Sequence, residues 1–388
     1  MILVFNIILG LILGYFAPQY TGVLQYFDVI FLKLLNLITP FLIFTMILKS
    51  IAYLNSNIHK NNHILLTTLY YTFGTLLSVI IAFAASYLTK IGLGLPISFD
   101  TTQALPKQDN VIINLIPNNI ICDFYHGNLI QILFTAILFG VITSHSKHKN
   151  EILKFTDQTY EFLFEILESI MILIPYALLS LTIKLTISNL KDLLIFAKML
   201  KLIFALYCLR YIVLLLEIYL IGGVSPLPFI LKSFRYQSVA FISTSSKATL
   251  PIASEELKNM GVSKENRQYA VSIGGMLNSI GFGLDLTVII VFILNIYSVE
   301  LNLYNSIFVI ILSFIGCIAG TGIPAAPLIV LSIVLNFFHI SHGVIVFILG
   351  IDRIIDMVST TINITGICGY TLVIDGKNKT LNTKKYYE

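Results

Sequence analysis

Residues 241–253 read FISTSSKATLPIA. Ser243, Thr244, Ser245, Ser246 and Thr249 stand here around Lys247, closed by Leu250-Pro251, with apolar sequence on both sides. Such a patch is either a loop between two spans or a polar site held at membrane depth. The remainder of the chain has to decide. Its 388 residues are 57% apolar and 11% charged, with a mean hydropathy of +0.89, whereas a soluble protein carries about 25% charged residues. That composition implies a polytopic all-α membrane protein.

Other classes fall away. The net charge of +4 is small, and the lysines sit in short connections rather than in a basic stripe, which argues against nucleic acid. Cys122, Cys208, Cys317 and Cys368 are widely spaced, with no CxxC pair and no histidine cluster. They read as packing residues, so neither a disulfide framework nor a metal site is expected. The opening MILVFNIILGLILGYF has no charged n-region and no small-residue cleavage site, and reads as a first span rather than a signal peptide.

Apolar runs suited to spans lie near 2–17, 25–53, 63–93, 128–145, 157–186 and 194–223. Pro40 and Pro175 should kink two of them. Residues 95–127, rich in Pro, Asn and Asp, read as a long external loop. After residue 224 the segments shorten and are broken by Gly, Pro and Ser. A hairpin at 225–260 has the SSKATLP tip. A span at about 268–295 is interrupted by Asn278-Ser279-Ile280-Gly281-Phe282-Gly283. A second hairpin, 304–340, breaks at Ala319-Gly320-Thr321-Gly322-Ile323-Pro324, and a last span, 342–373, carries Asn363-Ile364-Thr365-Gly366.

One order therefore occurs twice: a hairpin with a Pro-containing tip, then a span with an N-x-x-G break. Paired interruptions in corresponding positions point to a transporter's binding site. Irregular backbone at membrane depth survives only when buried in protein or lining a cavity. With both hairpins re-entrant, Lys49, Lys60, Lys147, Lys149, Lys154, Lys232, Arg235, Lys258, Lys264, Arg267 and the 377–385 lysines fall on one side, leaving little beyond Lys107 and Lys191 on the other. The positive-inside rule then predicts eight true spans with both termini cytoplasmic.

Charge at membrane depth is costly and usually functional. The last span offers Asp352, Arg353 and Asp356, then Ser359, Thr360, Thr361, Asn363 and Thr365. Asp352, Asp356, Ser359 and Asn363 are three or four residues apart and share one helical face. For Arg353, a structural ion pair with Asp352 and a functional role stay equally open. Asp356 has no adjacent cation and can serve as counter-ion to a substrate ammonium. A nearby Asn amide and the free N–H groups of hairpin tips can take a carboxylate. Together these parts describe an amino-acid zwitterion site. No ATP-binding loop is present, so transport would be secondary.

SSKATLP, the N-x-x-G break, AGTGIPAAP and LGIDRIIDMVSTTINITG resemble the dicarboxylate/amino acid:cation symporter family, which includes glutamate transporter homologues. The resemblance is strongest over 225–375 and extends forward through LITPFLIFTMI, Tyr70-Tyr71 and NLIPNN. It implies a glutamate-transporter-like elevator fold, eight helices plus two re-entrant hairpins, assembled as a homotrimer in a lipid bilayer. Residues 1–224 would be largely the trimerisation scaffold, with the spans near 63–93 and 194–223 as candidates to pack with the transport part. Residues 225–375 would be the transport core and 376–388 a cytoplasmic tail. By this resemblance Asp356 matches the aspartate that binds the substrate amino group, and Asn363 the asparagine on its α-carboxylate. Ser245 and Ser246 match the first tip; Gly320, Thr321, Gly322 and Ile323 match the second, a gate. Thr360 joins the expected site.

The departures are as informative. Ile280 and Ile367 stand where the resemblance implies sodium-coordinating aspartates, and Gly74 where it implies a hydroxyl, although Thr75 remains. A desolvated cation needs anionic oxygen ligands, so sodium coupling through those sites is not expected. Ser359 replaces the arginine that takes an acidic side chain and cannot form its bidentate bond. Lys247 is unusual for its tip. It either snorkels to the vestibule or places an ammonium near Asp356 or Asp352, from which a buried lysine can release a proton. Asn278 and Asp285 complete the set of ion-coupling candidates with Asp352 and Arg353.

The expectation is an inner-membrane importer of an amino acid, coupled to protons rather than sodium and needing no cofactor; a neutral substrate is favoured, with glutamate or aspartate left open by the family resemblance. A diverged relative acting as facilitator, anion leak or sensor is the alternative. An intramembrane enzyme is remote, because the seven histidines are scattered.

Overall fold

The computed structural model describes residues 2–16, 22, 26–58, 62–93, 117, 119–177, 179–180, 183, 193–320, 326–338, 340 and 343–388, and among them it is entirely helical. The early helices are α1 (Ile2–Phe16), α2 (Phe27–Ile58), α3 (Asn62–Thr89), a short α4 (Ile120–His126), α5 (Leu129–His145), α6 (Lys149–Met171) and α7 (Leu193–Leu220). Five of them follow the expected runs, and Pro40 falls inside α2 as predicted. The run expected at 157–186 is corrected, since α6 starts at Lys149 and ends at Met171, so that Pro175 lies beyond it instead of kinking it. The expected loop at 95–127 is corrected at its end. Asn119 accepts hydrogen bonds from the Ile121 and Cys122 amides and so starts α4, and Gly127 closes it in the left-handed region. Residues 94–116, with Lys107, and residues 184–192, with Lys191, lie outside the described residues.

The interrupted half begins with α8 (Pro226–Ser243) and α9 (Ser246–Asn259), the arms of the first hairpin. Next come α10 (Lys264–Tyr269), a π turn over Ala270–Gly274, one helical turn to Leu277, and α11 (Ile280–Ile296). The second hairpin has arms α12 (Leu303–Gly320) and α13 (Ala326–Phe337), followed by α14 (Gly343–Lys377) and α15 (Thr383–Tyr387). The first break is shorter than the sequence implies. Only Asn278 and Ser279 leave the helix, and Ile280 already begins the next one.

The second expected break does not form. Helix α14 runs unbroken through Asn363-Ile364-Thr365-Gly366, because Asn363 spends its side chain on a neighbouring helix instead of on its own backbone. The last residues, expected as a tail, pack against the first hairpin. Tyr386 is fully buried and donates to the Ser225 carbonyl at 2.7 Å, while Lys232 Nζ reaches the carbonyls of Lys385 and Tyr386 at 3.0 Å. Asn382 N donates to Gly261 O. Both ends of the first hairpin are thereby clasped.

Every residue of α11 is buried, as suits a helix that is apolar all round. It lies between α3, α7, α12 and α14. Among the described residues, five helices are long and apolar enough to cross a bilayer: Phe27–Ala52, Leu66–Thr89, Phe196–Leu220, Leu303–Gly320 and Ile351–Lys377. The fourth is an arm of the second hairpin. Leu37, Leu69, Phe73, Leu216, Phe234 and Ile242 are each more than half exposed, an apolar surface suited to lipid rather than water. The chain is an integral membrane protein.

Candidate functional site

The site forms where α14 crosses the start of α11. A Cβ at Gly281 would run into the backbone of Ser359, its Cα at 2.9 Å, so glycine alone permits this approach. The first N–H groups of α11 need partners, and Ser279 supplies no side-chain cap. Asn363 supplies one from across the crossing. Its Oδ1 accepts from Gly281 N at 2.8 Å and Phe282 N at 3.5 Å, and its carbonyl accepts from Asn278 Nδ2 at 2.8 Å. With Oδ1 committed, the Nδ2 donors meet no partner among the described residues and can serve a ligand.

Asn278 is fully buried, and its Oδ1 has no hydrogen-bond partner among the described residues. Thr75 braces the same break, donating to Leu277 O at 3.1 Å and accepting from Ser279 N at 3.0 Å. Two turns before Asn363 on α14, Asp356 is half-buried and accepts from Thr360 Oγ1 at 3.1 Å. Asp352 is half-buried and Arg353 exposed. Arg353 acts electrostatically on both Asp352 and Asp356, so the expectation that Asp356 lacks a nearby cation is corrected: the exposed guanidinium one turn away along α14 is its counter-charge as well.

Ser359 is buried and does not face an open space. Its hydroxyl lies within hydrogen-bonding reach of Asp285 and Tyr207. Asp285, 3% exposed, accepts from Tyr207 OH at 3.0 Å and from Leu286 N at 2.6 Å. Thus the position where the resemblance implies an arginine holds a small hydroxyl beside a carboxyl.

The first tip is built from its own hydroxyls. Thr244 turns in the left-handed region at φ 50. Ser245 Oγ caps α9 through Ala248 N at 3.3 Å, Ser243 Oγ accepts from Ser245 N at 3.3 Å, and Thr249 Oγ1 donates to Ser245 O at 2.9 Å. Ser246 opens α9, half-buried. The Lys247 side chain and Thr321, Gly322 and Ile323 lie outside the described residues; Gly320 ends α12, buried.

Ile280 and Ile367 are each 1% exposed, in one packed cluster with Tyr71, Ile364 and Tyr370. Sequence reasoning missed Tyr207, and it missed Arg210 and Glu217 inside the span at 194–223. Charge within an apolar run was the available signal for the latter pair.

The helix crossing brings a carboxylate, Asp356, and an amide, Asn363, onto one face of α14, groups that can take an ammonium and a carboxylate respectively. The chain belongs to the sodium:dicarboxylate symporter family, whose model matches residues 1–377. It is 25% identical over 372 residues to a serine/threonine transporter of Lacticaseibacillus casei, covering 93% of this chain and 85% of that protein. It is 24% identical to a proton/sodium-glutamate symport protein of Geobacillus stearothermophilus, covering 93% and 90% respectively. A proton/glutamate-aspartate symporter of Bacillus subtilis is likewise 24% identical, with 97% and 94% covered.

Proposed function

We propose that the chain is a secondary active symporter that imports a neutral amino acid across a bacterial inner membrane, driven by protons. Asp356 carries the reading: a half-buried carboxylate at membrane depth, on the same helical face as Asn363. The carboxylate pairs with the substrate ammonium, and Asn363 Nδ2 with the first tip takes the α-carboxylate. A plain dicarboxylate has no ammonium for Asp356. Ser359, buried beside Asp285 and Tyr207, offers no guanidinium to a side-chain carboxylate, and this favours neutral over acidic substrates. Serine and threonine, which the Lacticaseibacillus relative's name gives as its substrates, are the first to test.

Close-packed Ile280 and Ile367 give sodium no carboxylate where the family resemblance places one, and Asp285 and Asp352 are the proton-carrying candidates. Residues 1–224 then act largely as a trimeric scaffold, except that the spans near 63–93 and 194–223 pack with the transport part; 225–375 form the core that moves as an elevator, with both termini cytoplasmic. The same isoleucines favour a second reading, an uncoupled facilitator.

The test is uptake into proteoliposomes across a panel of amino acids, with sodium and pH gradients imposed separately. Accumulation of a neutral amino acid under a proton gradient, unchanged by sodium, is expected. Downhill equilibration alone supports the facilitator. Glutamate uptake driven by sodium sinks both the substrate and the coupling inference.

A further inference from the structure

Arg210 lies about 15 Å of helix rise short of Leu220, well inside an apolar helix, and is 1% exposed. A guanidinium stays charged in any protein environment, and removing one from water is costly unless its donors are met. Three elements meet them. From α3, Ser78 Oγ accepts from Nε at 3.1 Å. From α14, the Tyr370 hydroxyl accepts from Nη2. From α7 itself, Glu217 takes Nη1 at 3.4 Å, and Tyr370 OH donates to the other Glu217 oxygen at 3.3 Å.

The arrangement is not a simple ion pair. Arg210 is enclosed while the Glu217 side chain is 14% exposed, and one long contact joins them. The other donors go to neutral oxygens on separate helices, as the ligands of a bound cation would be disposed. Gly74 makes the space: a Cβ there would overlap the Tyr370 ring, meeting its hydroxyl at 2.6 Å. One turn away, Tyr71 OH joins Thr371 Oγ1 at 2.8 Å, and Ile367 packs over Gly274. The seam between α3 and α14 is thus filled by isoleucine, phenol and guanidinium.

We propose that Arg210 is a resident cation of the transport core. Its fixed charge and directed donors hold α3, α7 and α14 in the arrangement that binds substrate, so that no metal ion has to enter to do so. Arg210 is a positioning residue in this scheme and touches no substrate. The proposal rests on the transport reading above.

The experiment uses full-length protein in proteoliposomes, with L-serine as the first probe and otherwise whichever amino acid of the panel the wild type accumulates. Replacing Arg210→Met and Glu217→Met together removes both charges without leaving either unpaired. Buried ion pairs that serve stability alone tolerate such replacement. The expected result is a folded double variant whose uptake falls about 20-fold or more, the scale of losing charged hydrogen bonds, with the substrate-induced rise in Tm lost. Should the double variant fail to insert, Arg210→Ala decides the matter: millimolar guanidinium ion restores uptake, and urea, of the same shape but uncharged, does not. A double variant as active as wild type overturns the proposal, as does equal rescue by urea. Wild-type protein that takes up no amino acid removes the transport reading and this proposal with it. Wild-type uptake beside an equally active variant removes this proposal alone.

Discussion

Asn363 caps α11 with its amide oxygen, and in the proposed function its amide nitrogen takes the substrate carboxylate; substitution can separate the two roles. Asn363→Asp keeps an oxygen acceptor at the start of α11, where a negative charge is favoured, but loses the donors offered to a carboxylate. Its Tm should stay within about 2 °C of wild type while uptake is abolished; Asn363→Ala should lose both. A thermal melt beside an uptake assay distinguishes them. Asp356→Asn should cut uptake or binding about 10- to 100-fold, the range for losing one charge-assisted hydrogen bond. Its Tm should hold or rise, because a half-buried carboxylate carries a desolvation cost. Loss of stability with uptake intact would instead make Asp356 a structural residue.

At the scale of elements, the hairpins declare themselves through Ser, Gly and Pro clusters, which interrupt helices by their own backbone chemistry. The Ser245 cap belongs to this local level: Ser245→Ala should cost about 1 kcal/mol, read as a small fall in Tm in calorimetry. What the chain could not reveal is how two identical signals differ. Asn278 and Asn363 each precede a glycine by three residues, yet only the first opens its helix. The difference is tertiary: at the crossing, Asn363 caps the helix that Asn278 and Ser279 interrupt. The Asp356–Asn363 face was legible because period alone places it. The burial of Ser359 against Asp285 and Tyr207 was not, since it depends on which helix lies across from it. Arg210 escaped for a related reason, as its partners come from Ser78 and Tyr370, far apart along the chain.

For the whole molecule, the clasp at 382–387 matters more than its length suggests. Asp375, fully buried, accepts from Ser263 N, Ser263 Oγ, Asn266 Nδ2 and Thr380 Oγ1 at 2.5–2.9 Å. It ties the foot of α14 to the end of the first hairpin. Burial pushes the Tyr386 phenol well above its ordinary value, so the hydroxyl remains a donor to Ser225 at any ordinary pH. Tyr386→Ala should cost about 3–5 kcal/mol by analogy with other buried aromatics, and limited proteolysis should then cut near 222–226 and 259–263. Tyr386→Phe, losing only the bond to Ser225, should cost about 1 kcal/mol and keep those sites protected. The clasp also imposes an order on biosynthesis. The hairpin emerges from the ribosome more than a hundred residues ahead of the segment that fastens both its ends. During that interval its polar tip and open feet must wait in the membrane, and any chain released early leaves them unfastened for quality-control proteases.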